Sequence, residues 1–462
     1  MWLDNWVAAL LVPLAAWILL SGLDDLFISI ALILSGHKLF AWPTAPELDG
    51  TPERRIAILV PLWREDGVIE RMLERNLATI RYRNYDIFAG VYPNDKPTKA
   101  AVNRVVRRHT RVHLSVCSRN GPTSKGDCLN HAYRRMNEYE ATHGVRFEIV
   151  MMHDAEDLVH PESLRLVNHF SREYQMVQVP VLPLPRAWGE FTHGNYCDEF
   201  AESQWKDIPV RQRLHGFLPS SGVGTGFDRD SLDRLGRQRG GMVFNPECLT
   251  EDYETGLCLH KMGCRQVFLP IRMEAAGPVA TREYFPNRFR TAVRQRSRWV
   301  AGIALQGWER HGWQGPWRQR YWLWRDRKGL AGNLLSPAAN LLFVYGCASY
   351  AVAAWSGQRW GLASHIPPPL AAVYSATLLI SLVQMGMKMR SSARVYGWLF
   401  AAGVPLRMPW ANMVNCAATA AALMQFANAR ITRRTLVWRK TEHVYPASSM
   451  PGYAPASFSE QA

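Results

Sequence analysis

The chain has 462 residues, with 54 Lys plus Arg against 39 Asp plus Glu, a net charge of +15. Hydrophobic residues make up 48%, which excludes global disorder and leaves material for a sizeable core. A basic chain with 18 Trp suits either nucleic acid or a membrane surface carrying anionic lipid.

The distribution of apolar residues separates those two. Residues 6–23 carry no charge, and between Ala331 and Met387 the one formal charge is on Arg359. The mean hydropathy of −0.17 averages such tracts with a polar middle and conceals them. A membrane protein is therefore expected, with lipid bilayer as a partner and no nucleic acid. The eight cysteines, at 117, 128, 197, 248, 258, 264, 347 and 416, form no CxxC pair and no zinc-spaced Cys/His cluster. Reduced, mostly buried thiols are expected, which places the polar middle in a reducing compartment, most simply the cytoplasm.

Residues 1–40 are expected to hold the N-terminal transmembrane segment, since about 20 apolar residues cross a bilayer. No Lys or Arg precedes the tract, which argues against a signal peptide. The first basic residues after it are Lys38, Arg54 and Arg55, so the N-terminus is expected outside and the next segment inside. Asp24 and Asp25 beside the span are expected to pair with a basic interfacial residue rather than to relay protons.

Residues 45–283 alternate short apolar runs with helical patterns. Strands are expected at 55–62, 85–92, 112–116 and 147–152, and helices at 70–79, 99–108 and 125–139. This alternation predicts an α/β domain with a largely parallel sheet, whose ligands bind at the carboxyl ends of the strands. The polar residues there are Arg64, Glu65 and Asp66, then Asn94 and Asp95, then His153, Asp154, Glu156 and Asp157.

Residues 284–330 mix Arg and Trp, as an interfacial segment does. Residues 331–428 are expected to form C-terminal transmembrane and interfacial helices, with spans at 334–355 and 369–387. The stretch 399–427 is interrupted by Pro405, Arg407 and Pro409 and is expected to be interfacial or a broken hairpin. That parity keeps Arg430, Arg433, Arg434, Arg439 and Lys440 on the cytoplasmic side. Residues 429–462 are basic at first and then, from Pro446, rich in Pro, Ser and Ala, the composition of a disordered tail.

Three constellations carry chemistry. Asp154 and Glu156, two apart at a strand end, can share a hard divalent cation such as Mg²⁺ or Mn²⁺; Asp157 next door is a rival for the register. His153 is expected to support that turn by a hydrogen bond. In Thr250-Glu251-Asp252, a carboxylate held in a cleft can serve as general base. The same residues could cap a helix at 253–262. Gln295, Arg298 and Trp299 share one helical face, offering an amide, a guanidinium for phosphate and an aromatic plane for a sugar ring.

An acidic turn, a Thr-Glu-Asp about a hundred residues later, then Gln-x-x-Arg-Trp and membrane spans resemble the membrane-embedded glycosyltransferases of family 2, relatives of the cellulose, chitin and hyaluronan synthases. Finer stretches resemble the phage-adsorption protein B branch: YPND at 92–95, GPTSKGDCLN at 121–130, HDAED at 153–157, GVGTGF at 222–227, LTEDY at 249–253, REYFP at 282–286, LWRDRKG at 323–329 and WRKTEH at 438–443. The resemblance implies an α/β GT-A fold with a Rossmann-like mixed sheet. It implies inverting transfer from a nucleotide sugar, a UDP-sugar above all, to a glycan or lipid-linked acceptor. Carried over, it implies that Asp95 meets the donor base and that Lys125 and Asp127 lie beside the nucleotide. Asp154 and Glu156 take the two acidic positions of the DxD, Glu standing where Asp is usual. Asp252 matches the base. Gln295, Arg298 and Trp299 hold the diphosphate and the acceptor sugar, and Gly224, Thr225 and Gly226 lie along the acceptor site.

The expected activity is thus polysaccharide synthesis at a bacterial inner membrane, with the catalytic domain in the cytoplasm and an outer-envelope export partner. Two other readings are a non-catalytic component of a secretion or phage-adsorption apparatus and a single-sugar transferase acting on a lipid carrier. Members of that branch often continue into a module that binds cyclic diguanylate. With the sequence stopping at Ala462, such control is expected from a partner chain.

Overall fold

A computed structural model describes residues 2–35, 42–270, 273–274, 277–436 and 445. Lys38, Arg439, Lys440, the stretch 438–443 and the tail from Pro446 lie outside the described residues.

Eight strands carry the polar domain: β1 (Ile56–Pro61), β2 (Tyr85–Val91), β3 (Val112–Val116), β4 (Ile149–Met152), β5 (Met176–Gln178), β6 (Val181–Pro183), β7 (Thr225–Asp228) and β8 (Gln266–Phe268). Seven of them form one sheet in the order β3-β2-β1-β4-β7-β5-β8, while β6 pairs in parallel with Thr281–Glu283. Ile56 stands between Tyr85 of β2 and Ile149 of β4, all in parallel register. β7 alone runs the other way, antiparallel to β4 and β5. The sheet is therefore mixed.

β1 and β2 read as nearly unbroken apolar runs because both faces are covered. On one face Ile56, Ile58 and Val60 pack with Met72 and Leu73 of the helix Ile69–Thr79 and with Val102 and Val105 of the helix Lys96–Val106. On the other, Ala57, Leu59 and Phe88 pack with Leu129, Ala132 and Met136 of the helix Lys125–His143. From β1 the chain winds outward through β2 and β3 and then returns to place β4 on the opposite side of β1. That reversal leaves a crevice at the carboxyl ends of β1 and β4, where open α/β sheets take their ligands.

Three helices are long and apolar enough to cross a membrane: Leu3–Leu34, Trp317–Trp355 and Pro368–Tyr396. The expected hairpin at 399–427 is corrected. After a short turn at Trp398–Ala401, Val404–Ile431 is one helix with Pro409 inside it. Continuity is possible because Pro409 is near the N-terminus, where few amide bonds are lost. This helix is not among the three candidate spans. It packs along Phe289–Trp299, Gly329–Trp355 and Phe191–Glu202.

One helical segment makes a run of ion pairs between the domain and this bundle. Phe191–Glu202 continues through wider turns at Ser203–Asp207. Asp198 pairs with Arg407 at 2.6 Å, and Glu199 with Arg296 at 2.6 Å. Glu202 pairs with Lys388 at 3.2 Å, and Asp207 with Arg325 at 3.4 Å. Each cation comes from a different helix, and those of Lys388 and Arg325 lie on candidate spans. Arg325 and Lys328 in turn hold Asp24 and Asp25 of the first span, Lys328 at 2.8 Å from each carboxylate. Asp24 and Asp25 are thus structurally paired. All eight cysteines are free and five are buried.

Candidate active site

The crevice at the sheet switch point opens into a cleft with an enclosed volume of about 120 Å³. Lys125, Asp154, Glu156, Asp252, Gln295, Arg298 and Trp299 all line it, although they come from segments far apart in sequence.

β4 ends at Met152, and the next five residues form a tight acidic turn. Asp157 is fully buried and faces backward: its Oδ2 pairs with His153 Nδ1 at 2.7 Å and accepts from the Asp154 amide at 3.0 Å. Burial pushes its carboxyl up to about 6, with His153 pulling against it. The register is therefore resolved. Asp157 and His153 brace the loop, while Asp154 and Glu156 face the cleft.

Lys125 opens the helix Lys125–His143, which Ser124 caps by accepting from the Asp127 amide at 3.2 Å. Its ammonium sits astride Asp154, 2.7 Å from Oδ1 and 2.9 Å from Oδ2. Burial alone would lower the Lys125 pKa, but Asp154, Glu251 and Asp252 outweigh it, so the amine stays charged. The carboxylates of Asp154 and Glu156 form a hard-oxygen donor set, which fits Mg²⁺ or Mn²⁺. Lys125 neutralises Asp154 here and would have to share it with a cation.

Thr250-Glu251-Asp252 reaches the cleft from a separate segment, at the start of the helix Glu251–Lys261. Thr250 occupies the cap position, yet its hydroxyl makes no cap bond and packs against Gly302. Burial, the largest influence, raises the Asp252 carboxyl, and Lys125 opposes it. Burial and then Asp252 push Glu251 up to about 8, with Lys125 opposing them.

Gly222 explains how Asp252 gets there. It has φ +77°, and a Cβ on it would lie 2.4 Å from Asp252 Oδ2 and 3.4 Å from Lys125 Nζ. Only glycine lets the backbone approach Asp252 and Lys125 this closely at a positive φ. Gly222→Ala is expected to lower kcat about a hundredfold, as a displacement near 1 Å does, while the protein still inserts in membranes. Initial rates on membrane fractions of equal protein content check this.

The helix Phe289–Trp299 carries the third set. Gln295 Oε1 and Arg298 Nε are buried with no hydrogen-bond partner among the described residues, so both have hydrogen-bonding capacity to spare on the cleft wall. Trp299 sits among Tyr196, Phe200 and Phe285 at 6.1, 6.3 and 6.4 Å, and Phe200 and Phe285 line the cleft with it. Arg296, pointing the other way, fixes the helix. It donates to Glu199 at 2.6 Å and Asn415 at 2.8 Å, with its guanidinium 4.2 Å over Tyr196.

Five expected residues lie off the cleft. Asp95 is buried; it accepts from the Thr98 amide at the start of Lys96–Val106 and from the Arg64 amide at 2.5 Å. Capping and the sharp turn at Arg64 (φ 55°) consume its carboxylate. Asp127 faces Arg119 at 3.4 Å. Gly224 has φ +61° and adjoins Thr281, Thr225 is buried on Gln178 at 2.7 Å, and a Cβ on Gly226 would strike Val167 at 2.3 Å. Thr225 and Gly226 belong to β7 and Gly224 leads into it, whereas Ser221 and Val223, on either side of Gly222, line the cleft. Sequence reasoning also missed Trp63 and Tyr92, packed edge to face at 5.3 Å on the β1/β2 side of the cleft. Their position just after strand ends was the available signal.

A mixed sheet with an acidic turn at its switch point, a carboxylate from a separate segment and an Arg-Trp wall define a glycosyltransferase of GT-A fold. A family model described as glycosyltransferase like family 2 matches residues 52–302, and the chain belongs to that family. It is 35% identical to bacteriophage adsorption protein B of Escherichia coli K12, across 94% of this chain and 62% of that protein. Bacteriophage N4 adsorption protein B of Escherichia coli O157:H7 matches with the same figures. The chain thus spans under two thirds of these relatives. Among solved structures, a mannosyltransferase from Pyrobaculum calidifontis in complex with GDP-Man and Mn²⁺ shares 19% identity, covering 88% of this chain and 99% of its own, at a TM-score of 0.49. Glucosyl-3-phosphoglycerate synthase from Mycobacterium tuberculosis, in complex with Mn²⁺ and UDP, shares 16% identity over 50% and 76%, at 0.31.

Proposed function

We propose that this chain is an inverting glycosyltransferase of a bacterial inner membrane that moves a sugar from a UDP-sugar to a growing polysaccharide and passes the product toward the bilayer. The observation that carries this reading is the convergence in one cleft of Asp154 and Glu156, Asp252, and Gln295 with Arg298 and Trp299. With three spans and an external N-terminus, the catalytic domain faces the cytoplasm.

Inversion is a single displacement. Asp252, raised by burial and lining the cleft from a separate segment, takes the proton from the attacking hydroxyl of the acceptor. As the anomeric bond breaks, negative charge grows on the leaving diphosphate. Arg298 and Lys125 are fixed where they can meet it without reorganisation. The aromatic wall of Phe200, Phe285 and Trp299 offers apolar faces to the C–H surfaces of the acceptor sugar and excludes water. A divalent cation held by Asp154 and Glu156 would supply further Lewis-acid stabilisation of the diphosphate.

Membranes containing the full chain, assayed with a panel of radiolabelled UDP-sugars, test this reading. One donor is expected to label a product whose length grows with time. Chelation of divalent metal is expected to remove at least about 90% of the signal, with Mn²⁺ restoring it. Absence of labelling with every donor in the presence of metal would exclude the proposed function.

A further inference from the structure

We propose that Tyr253 and Asp326 are positioning residues for the base: the Tyr253 hydroxyl, anchored on the Asp326 carboxylate, holds the start of the helix Glu251–Lys261 so that Asp252 stays aimed into the cleft. The proposal rests on the reading of Asp252 as general base. Among the described residues neither Tyr253 nor Asp326 lines the cleft, so their influence on transfer is exerted through Asp252. Asp252 is the second residue of its helix, and the first turn sets where its side chain goes. A first turn is ordinarily tied by an N-cap side chain. Here Thr250 makes no cap bond, and its hydroxyl is buried without a hydrogen-bond partner among the described residues. The tie comes from Tyr253 instead. It is 6% exposed and donates from its hydroxyl to Asp326 Oδ2 at 2.7 Å. Burial, then Asp326, hold the phenol well above its ordinary value, so it remains a donor. Successive side chains on a helix point about 100° apart, so Tyr253 can be anchored away from the cleft while Asp252 faces it.

The anchor is itself fixed. Arg211 grips Asp326 through two bonds, Nη1 to Oδ1 at 2.8 Å and Nη2 to Oδ2 at 3.0 Å, and such a bidentate pair sets direction as well as distance. Arg211 Nε donates to the Phe217 carbonyl at 2.5 Å, and its guanidinium lies 4.0 Å over the Phe217 ring. That ring meets Tyr253 edge to face at 5.7 Å. Tyr253, Phe217, Leu257 and Trp322 are buried in one cluster with Ile28 and Leu32 of the first span. Asp326 belongs to the stretch LWRDRKG at 323–329, to which the mechanism has so far given no task. Its neighbours Arg325 and Lys328 hold Asp24 and Asp25 of the first span. A single turn of helix thus joins the first span on one hand and the base-bearing helix on the other.

Tyr253→Phe tests this in the full chain in membranes, because it removes one hydroxyl and leaves the ring packing and the Arg211–Asp326 pair in place. A displacement near 1 Å at a reacting group costs about a hundredfold, and loosening one tie is expected to lower kcat about tenfold, with KM for the donor within about twofold of the parent. The melting temperature in detergent is expected to stay near the parent's. In the Asp252→Asn background the same change is expected to cost nothing further, since no base is left to aim; long incubations with radiolabelled donor read the residual rate. Asp326→Asn is expected to lower kcat at least as much as Tyr253→Phe, and adding Tyr253→Phe to it to cost nothing more. An unchanged kcat in Tyr253→Phe, a loss carried by KM, or the same fold loss with and without the Asp252 carboxylate would overturn the proposal. Full activity in Asp252→Asn alone would instead overturn the reading of Asp252 as base, and no labelling by the parent the reading of the chain as a transferase.

Discussion

Asp252→Asn is expected to cut kcat about 10²- to 10⁴-fold, the span that a positioned general base contributes. The amide keeps the shape of the carboxylate and its contact with the Tyr253 amide, 2.7 Å from Oδ1, so folding and membrane insertion should persist. KM for the donor should change little, because Lys125 and Asp154, which face the nucleotide side, are untouched. The pH profile gives a second readout. Asp252 acts only when ionised, and its carboxyl is raised, first by burial. Transfer should therefore fall as pH drops through a limb that lies above the ordinary carboxylate range near 3.9. Lys125 is the strongest influence holding that limb down, so Lys125→Met should move it to higher pH while also weakening donor binding. Initial rates against pH, with equal amounts of membrane-inserted protein, decide this. Unchanged kcat in Asp252→Asn would remove this residue from the mechanism.

Arg407→Ala is expected to be the most damaging change away from the cleft. Arg407 is 1% exposed and bonds Asp198 through Nε at 2.6 Å and Nη2 at 2.9 Å, with a further bond to the Phe400 carbonyl at 2.9 Å. Its stem is admitted by Gly194, where a Cβ would lie 2.6 Å from Arg407 Cδ. Truncation leaves Asp198 charged and buried with Ser392 alone at 2.7 Å, together with an unfilled cavity. Breaking one side of a buried pair costs about 3–5 kcal/mol. Thermal unfolding in detergent should show a drop of several degrees or more. Replacing both partners by apolar residues of similar volume, Asp198→Leu with Arg407→Met, should recover much of the loss, since no charge is then stranded. A melting temperature unchanged in Arg407→Ala would show that the pair does not hold the helix Val404–Ile431 to the domain.

The two predictions probe different parts of one device. The helix Phe191–Glu202 presents Phe200 to the cleft and Asp198, Glu199 and Glu202 to three other helices, Val404–Ile431, Phe289–Trp299 and Pro368–Tyr396. Arg296 belongs to the same network and sits within the Gln295–Trp299 motif. The motif's orientation is thus set by the bundle as much as by the domain. None of this was visible in the sequence, where Arg296 read as part of an interfacial segment, Arg407 as a break in an apolar stretch, and the segment 191–207 carried no evident signal. Ion pairs over 97 to 209 residues of separation leave no local trace.

What the sequence determined by itself was local. The apolar tracts gave three spans, because crossing a bilayer needs only length and composition. β1 to β4 and their helices were legible since each is a contiguous run with its own periodicity. The observed bounds differ by only a few residues, as at Lys96–Val106 against 99–108. Seven motif residues also line one cleft, for they follow strand ends or share a helix face. The tertiary structure alone decided the rest. β5, β7 and β8 have three or four residues each, too few to show alternation, and they are strands only because neighbours complete their ladders. It also decided which members of a motif reach the ligand. Asp95 was drawn into capping its own helix, and Gly224 to Gly226 into the backbone of β7, while Gly222, two residues earlier, received the close approach of Asp252. Spacing names the residues near a site, but a carboxylate or a glycine is assigned its task by which backbone atoms lie within about 3 Å, and those come from elsewhere in the chain.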